Sequence, residues 1–472
     1  MLRWCAAGCV SFMGEELIIT VSGMRGVIGE NLTPAVAADY GCAFGTLLKE
    51  ERAPGDRPAV CMGRDSRTSG PMLAAAMTAG LCAMGVDVVD LGVVITPSVG
   101  IMVRELRCSG GVIITASHNP IPYNGIKLLL SNGMAPASAV AERIKRGFAQ
   151  REFTFVGSPE CGQVVVNDWA DSVHIARVMA IVDKQAIAGR KFRVVLDSVN
   201  GAGGRITRKL LGEFGCAVTA MNDEATGLFA HEPEPTAENL KGLCEKVRKE
   251  GPDIGFGQDP DGDRLAIVDE NGRYISEEYT LALAAKYMFS KKTGKAATNL
   301  STSRMIDDIA GKAGGEVIRT AVGEANVAGA MMEHSCIIGG EGNGGVIDLR
   351  VGPIRDSLVG IALVLQFMAE TGKKISELVS EISSYYMSKE KFTADPAQMR
   401  RLLDSARKAF TGAKVNGADG LRFDFDDGWM HLRASNTEPI MRVIVEAKDE
   451  RTVRKYTETI SKLLRSAAAG PS

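Results

Sequence analysis

Three times along this chain a short apolar strand runs into a turn of small residues, an amphipathic helix, a glycine and a second strand. This recurrence limits the possible folds more than any other feature of the sequence. The first copy is Ala59–Met62, the turn Asp65-Ser66-Arg67-Thr68-Ser69-Gly70-Pro71, a helix to about Met84, Gly85 and Val86–Leu91. The second is Arg193–Leu196, the turn Asp197–Gly204, a helix to about Phe214, Gly215 and Ala217–Met221. The third is Ala296–Leu300, Ser301-Thr302-Ser303, a helix to about Ala313, Gly314-Gly315 and Glu316–Thr320. Pro71 suits a first helical turn, and Gly85 can take the positive φ that closes a helix. Strands alternating with helices predict an α/β protein with parallel or mixed sheets covered by helices. Ligands of such sheets gather beyond the carboxyl ends of strands, where these turns lie.

Past about Glu381 the pattern changes. Leu421–Phe425 and Trp429–Ala434 alternate around Asp426-Asp427-Gly428, which predicts a hairpin; Met441–Ala447 adds a strand and Glu450–Leu464 an amphipathic helix. A smaller α+β domain therefore closes the chain. The 472 residues then divide into four domains, at 13–165, 166–270, 271–384 and 385–466, the first three within the roughly 100–200 residues usual for one domain and the last smaller.

With 55 Lys+Arg against 57 Asp+Glu, the net charge is −2 and no basic block is present. That balance argues against nucleic-acid or membrane partners, so an anionic ligand needs a local cluster of Arg and Lys. No apolar run reaches the ~18 residues of a membrane helix; Leu91–Val103 comes nearest and is interrupted by Thr96, Pro97 and Ser98. The cysteines are scattered without CxxC or Cys/His spacing, which argues against zinc and a disulfide framework and favours the cytoplasm. The segment Met1–Phe12 carries too little apolar sequence before Cys9 for an export signal, and Met13 is the expected start.

Four loops carry candidate chemistry. Thr115-Ala116-Ser117-His118-Asn119-Pro120 follows the buried-strand run Gly111–Ile114, with Lys127 soon after. It places a hydroxyl at an exposed turn beside an imidazole and an ammonium, the layout of a nucleophile or phosphate acceptor. Ser117 and Asn119 could equally be turn formers before Pro120. Asp259-Pro260-Asp261-Gly262-Asp263-Arg264 carries three carboxylates at alternate positions of an extended loop, all facing one side. Their repulsion calls for a cation, and Mg²⁺ suits few carboxylates plus phosphate oxygen. A calcium loop fails because Arg264 stands where Gly is needed; a solvated acidic turn is the plain alternative.

Gly340-Glu341-Gly342-Asn343-Gly344-Gly345 matches GxGxxG in form, but the following Val346–Arg350 and Gly352-Pro353 cannot open the helix that would hold a pyrophosphate. Glu341 and Asn343 suit sugar hydroxyls instead. Arg433-Ala434-Ser435-Asn436-Thr437-Glu438-Pro439, with Arg442, gathers hydroxyls, an amide and guanidiniums between two strands. It forms a phosphate cradle or, more simply, a hairpin turn.

Together and in this order the loops resemble those of the α-D-phosphohexomutase family of phosphoglucomutases, phosphomannomutases and phosphoglucosamine mutases. Ser22-Gly23-Met24-Arg25-Gly26, Gly63-Arg64-Asp65-Ser66-Arg67 and Phe229-Ala230-His231-Glu232-Pro233-Glu234-Pro235 also look like that family. The resemblance implies four domains around a central cleft, three of them similar α/β domains. It implies that Ser117 carries a phosphoryl group and, with Asp259, Asp261 and Asp263, binds one Mg²⁺. Arg25, His118, Lys127 and Arg264 would surround the transferring group and serve proton transfer. Glu341 would hold sugar hydroxyls. Arg433, Ser435, Asn436, Thr437 and Arg442 would grip the idle phosphate. A hexose or hexosamine 6-phosphate would become the 1-phosphate through a 1,6-bisphosphate, with glucose or glucosamine 1,6-bisphosphate as primer.

The sugar loop departs from the Gly-Glu-Met-Ser-Gly-His and Gly-Glu-Gln-Ser-Gly-His forms: Asn343 stands for Ser and Gly345 for His. The form resembles the archaeal-type phosphoglucosamine mutase branch, which implies glucosamine phosphates, with phosphomannomutase/phosphoglucomutase activity as the alternative. The missing His puts more weight on His118 and Lys127. A haloacid-dehalogenase-like phosphatase using Asp259, or a non-catalytic sugar-phosphate sensor, are the readings from other classes.

Overall fold

The computed structural model describes residues 17–20, 23–51, 55–434 and 440–469. The expected start at Met13, the segment before it, and Ser22 lie outside those residues. The three recurring segments fold alike. Ala59–Arg64 pairs in parallel with Asp87–Val93, Arg193–Asp197 with Ala217–Met221, and Lys295–Asn299 with Glu316–Thr320. Each pair is joined by a helix: Gly70–Ala83, Gly203–Glu213 and Met305–Lys312. Gly85, at φ +80°, closes the first of these as the sequence predicts.

In every copy a third strand then joins the far side of the first in parallel, and a fourth returns antiparallel beside it. These last two strands are Gly110–Ile114 and Tyr123–Leu130, then Ile254–Gln258 and Leu265–Val268, then Ile338–Glu341 and Gly345–Ile347. Three of the four chemistry-bearing loops thus occupy one topological position, the turn between third and fourth strands. The first sheet grows to seven strands by adding Ile18–Thr20 and Gly23–Val27 at one edge and Val164–Val166 at the other. The fourth unit is an all-antiparallel five-stranded sheet, covered by helices Pro396–Ala409 and Glu450–Ala469. Its strands Leu421–Asp424 and Gly428–Ala434 form the predicted hairpin.

Packing fixes how the units meet. The second and third share one apolar core, which includes Phe214, Phe256, Leu281 and Leu363. The helix Ser357–Thr371 within it is buried on all sides and hydrophobic all round, as a central helix must be. Asp356 caps its start, accepting from Leu358 N at 2.9 Å. The same carboxylate accepts from His174 Nε2 at 2.7 Å, and Ser98 Oγ donates to His174 Nδ1 at 2.9 Å. This fully buried chain joins the first three units directly behind the metal-type loop. Ser98 belongs to the helix Thr96–Glu105, so the Thr-Pro-Ser interruption of the apolar run Leu91–Val103 is a helix start. No helix among the described residues is long and apolar enough to cross a membrane. The fourth unit docks on the third: Arg422 Nη1 donates to Leu300 O at 2.6 Å and Ser301 Oγ to His431 Nδ1 at 2.9 Å.

Candidate active site

Ser117 lies just past the strand Gly110–Ile114 in the left-handed region, at φ 51°. It is not on an exposed turn as the sequence suggested; only 4% of it is accessible. The second unit's acidic loop covers it, and Arg67 holds it from behind. Arg67 donates to Ser117 O (2.7 Å), Asn119 O (2.6 Å), Pro120 O (2.9 Å) and Tyr123 O (3.1 Å), and its Nε to Asp65 Oδ2 at 3.1 Å. Thr115 Oγ1 accepts from Ser117 N at 2.8 Å and donates to Asp65 Oδ2 at 2.6 Å. A turn with this many partners can keep a left-handed serine that would otherwise be strained.

The Ser117 hydroxyl donates to Asp259 Oδ2 at 3.0 Å. Asp259, Asp261 and Asp263 are buried, with one carboxylate oxygen from each within 4.8 Å of the other two. They converge because the loop is a tight turn rather than an extended segment: Gly262 N donates to Asp259 O at 3.1 Å and Gly262 sits at φ +65°. Asp261 Oδ2 accepts from Thr96 Oγ1 at 2.7 Å and from Lys127 Nζ at 2.8 Å. Asp263 Oδ2 accepts from Arg355 Nη2 at 2.6 Å. The opposite oxygens, Asp261 Oδ1 and Asp263 Oδ1, are buried without a hydrogen-bond partner. Unspent carboxylate oxygens in a buried cluster are what a small divalent cation with oxygen preference would take up.

Electrostatics follows the geometry. Burial pushes the Asp259 carboxyl well up, helped by the charges of Asp263 and Asp261. Burial also opposes charge on Asp261, but Lys127 outweighs it and its pKa falls. Lys127 is the mirror case: burial disfavours the ammonium, Asp261 and Asp263 favour it more, and the net direction is up. Lys127 therefore stays charged. His118, with Nδ1 3.4 Å from Ser117 Oγ, is pushed well below its ordinary pKa by burial and by Arg264 and Arg25, and stays neutral.

The remaining candidates ring this centre. Arg25 Nη1 donates to Asn119 Oδ1 at 2.9 Å. Arg264 donates from its backbone to Asp259 Oδ1 at 3.1 Å and from Nη1 to Glu234 Oε1 at 3.2 Å. That same Glu234 oxygen lies 3.8 Å from His118 Nε2, which gives the stretch Phe229–Pro235 a visible place. Glu341 is buried and accepts from Asn299 Nδ2 (2.7 Å), Gly323 N (3.2 Å) and Arg355 Nη1 (2.6 Å). Asn343 turns back on its own loop, donating to Glu341 Oε2 at 3.4 Å and accepting from Gly345 N at 3.3 Å. A strand rather than a helix follows, so the GxGxxG form is no dinucleotide site here.

Arg433 and Arg442 stand opposite each other on neighbouring strands. Burial lowers the Arg433 pKa, with Arg442 adding to it against Asp419. Two facing guanidiniums at one end of two central strands offer the charge and donors that suit an anion. Ser435, Asn436 and Thr437 lie outside the described residues. Asp419 Oδ2, 3.6 Å from Arg433 Nε, also accepts from Val322 N at 3.1 Å, which brings the arginine pair beside the sugar-type loop. Sequence reasoning missed three participants: Thr96, Arg355 and Glu234. Only Glu234 lay in a motif, and nothing local marks Arg355.

Comparison with known proteins follows the same four parts. Profiles of phosphoglucomutase/phosphomannomutase alpha/beta/alpha domains I, II and III match residues 17–155, 172–272 and 276–386, and the C-terminal domain matches 388–463. A phosphoglucomutase/phosphomannomutase of Thermococcus kodakarensis is 41% identical over 95% of this chain and 98% of its own. A protein of Methanopyrus kandleri named "probable phosphoglucosamine mutase" is 38% identical over 94% of this chain and 97% of its own. The crystal structure of a Burkholderia thailandensis phosphoglucomutase/phosphomannomutase family protein superposes with a TM-score of 0.85 at 28% identity, covering 96% of this chain and 98% of that one.

Proposed function

Because this chain belongs to the phosphoglucomutase/phosphomannomutase family, and is thus a phosphohexomutase and an isomerase, we propose that it interconverts glucosamine 6-phosphate and glucosamine 1-phosphate by way of a phosphoryl group on Ser117. One observation carries the reading: the Ser117 hydroxyl is buried 3.0 Å from Asp259 inside a carboxylate triad that leaves two oxygens unspent. Asp259, Asp261, Asp263 and Ser117 would hold Mg²⁺. Such an ion neutralises charge on phosphoryl oxygens as transfer proceeds.

The protein's own groups supply the rest. Phosphoserine donates to the free sugar hydroxyl, so a sugar O–P bond forms as the Ser117 Oγ–P bond breaks. Neutral His118 accepts the hydroxyl proton, while charged Lys127, Arg25 and Arg264 face the phosphoryl oxygens. The 1,6-bisphosphate turns end for end and returns its other phosphate to Ser117. A bisphosphate of the same sugar primes an enzyme that has lost its phosphate. Glu341 and Asn343 orient the sugar, and Arg433 and Arg442, with Ser435, Asn436 and Thr437, grip the phosphate at rest. A cytoplasmic setting belongs to this proposal, in keeping with free cysteines at every described position.

One point favours glucosamine: the Methanopyrus relative carries that name. The Thermococcus relative's name favours hexose phosphates as the second reading. Measuring kcat/KM on the glucosamine, glucose and mannose 1-phosphates, with Mg²⁺ and trace bisphosphate, tests the choice. A preference for mannose by more than about tenfold overturns it. Recovery of phosphate on the Ser117 peptide tests the mechanism, and phosphate on Asp259 with net hydrolysis refutes it.

A further inference from the structure

Arg355 precedes the cap of the central buried helix and reaches into the site. Its three donors meet three carboxylates from separate segments: Asp263 Oδ2 at 2.6 Å, Glu341 Oε2 at 2.6 Å and Glu324 Oε2 at 3.1 Å. Only 12% of the side chain is accessible. Asp263 belongs to the metal-type loop and Glu341 to the sugar loop, and among the described residues no other side chain bonds to both.

The space for this side chain exists because residue 345 has none. A Cβ on Gly345 would come within 2.2 Å of Arg355 Cδ and 2.7 Å of its Cγ. The position where Gly345 stands for the family's His is thus the opening that the Arg355 stem fills. Arg355 is itself anchored on two sides. Its backbone N donates to Glu324 Oε2 at 2.9 Å, and the next residue is the Asp356 cap held by His174.

We propose that Arg355 is a positioning residue that couples sugar recognition at Glu341 to cation affinity at the aspartate triad. The planar fork holds Asp263 by Oδ2 and so turns Oδ1 toward the cluster. Sugar hydroxyls that fix Glu341 also fix the fork, and the fork fixes Asp263 against the repulsion of Asp259 and Asp261. Binding at either end lowers the ordering cost at the other, and the coupling is reciprocal. The inference rests on the triad being the cation site and Glu341 the sugar site.

The test is Mn²⁺ affinity, read by electron paramagnetic resonance on dephosphorylated protein with and without saturating glucosamine 6-phosphate. The wild type is expected to bind Mn²⁺ at least ~5-fold more tightly with the sugar phosphate present. Arg355→Gln is expected to bring that ratio to within about twofold of one. Gly345→Ala, which keeps every charge and displaces only the arginine, is expected to do the same. A ratio in either folded variant equal to the wild type's overturns the inference, as does weaker Mn²⁺ binding by the same factor with and without sugar. A wild type that binds no Mn²⁺, or no sugar phosphate, instead overturns the functional reading and takes the inference with it.

Discussion

Replacing Arg67 by Met tests how the Ser117 loop is held. Arg67 is 2% exposed and donates to the carbonyls of Ser117, Asn119, Pro120 and Tyr123, besides its bond to Asp65. Removing one partner of a buried ion pair costs about 3–5 kcal/mol. Burial already pushes the Asp65 carboxyl up, so Asp65 can take a proton and discharge part of that cost. Pro120 O keeps Tyr123 N at 3.1 Å, but the buried Ser117 carbonyl loses its side-chain donor, and about 3 kcal/mol is the expectation. Hydrogen exchange of peptides spanning Gly110–Leu130 reads the loss locally, which matters in a chain of four units. Their protection should fall about a hundredfold, since 1.4 kcal/mol is a factor of ten. Turnover should fall by about a hundredfold too, because a misplaced nucleophile is costly. Protection and kcat both within threefold or so of wild type would refute the argument that Arg67 holds the loop.

Further outcomes concern the other loops. Ser117→Ala should lose all phosphate incorporation and turnover while its melting temperature stays near wild type; residual turnover above background counts against the phosphoserine. Arg433→Ala should raise KM for sugar phosphates with little change in kcat, because the idle phosphate is held in ground and transition state alike. His431 lies fully buried between the third and fourth units, donating Nε2–H to Asp419 O at 2.6 Å, and burial lowers its pKa to about 4. Unfolded histidine takes up a proton near pH 6.5, so between about 6.5 and 4 the unfolded chain binds more protons and stability falls as pH falls. The loss reaches about 3 kcal/mol, and His431→Gln should flatten that part of the urea-midpoint profile. An unchanged slope refutes the assignment.

The recurring units, the hairpin of the fourth and the four loops were legible because each is written in consecutive residues. What was hidden arises where distant segments dock. Arg355 meets Asp263 and Glu341 only because the central helix starts beneath both loops, and Thr96 reaches Asp261 only across the first two units. Other elements were missed despite a signal. The helix Pro396–Ala409 opens with a capping box, Asp395 accepting from Gln398 N at 2.8 Å and Gln398 Oε1 from Asp395 N at 2.9 Å. The strand Tyr386–Thr393 carries no such mark: its partly exposed charged sequence pairs because it lies along Ile440–Ala447. The exposed turn expected at Ser117 failed for a related reason. A single strand end cannot reveal which neighbouring unit will cover it.

Although three of the loops cap hairpins of one design, the third is not freely exchangeable: Arg355 ties Glu341 to Asp263, and an added Cβ would come within 1.9 Å of Glu278 Oε2 at Gly342 and 2.4 Å of Leu265 O at Gly344. Variation is thereby channelled to positions 343 and 345. Exchange at 345 carries one condition. Any transplant that gives position 345 a side chain must bring a smaller residue at 355 with it, so the two positions travel as a pair.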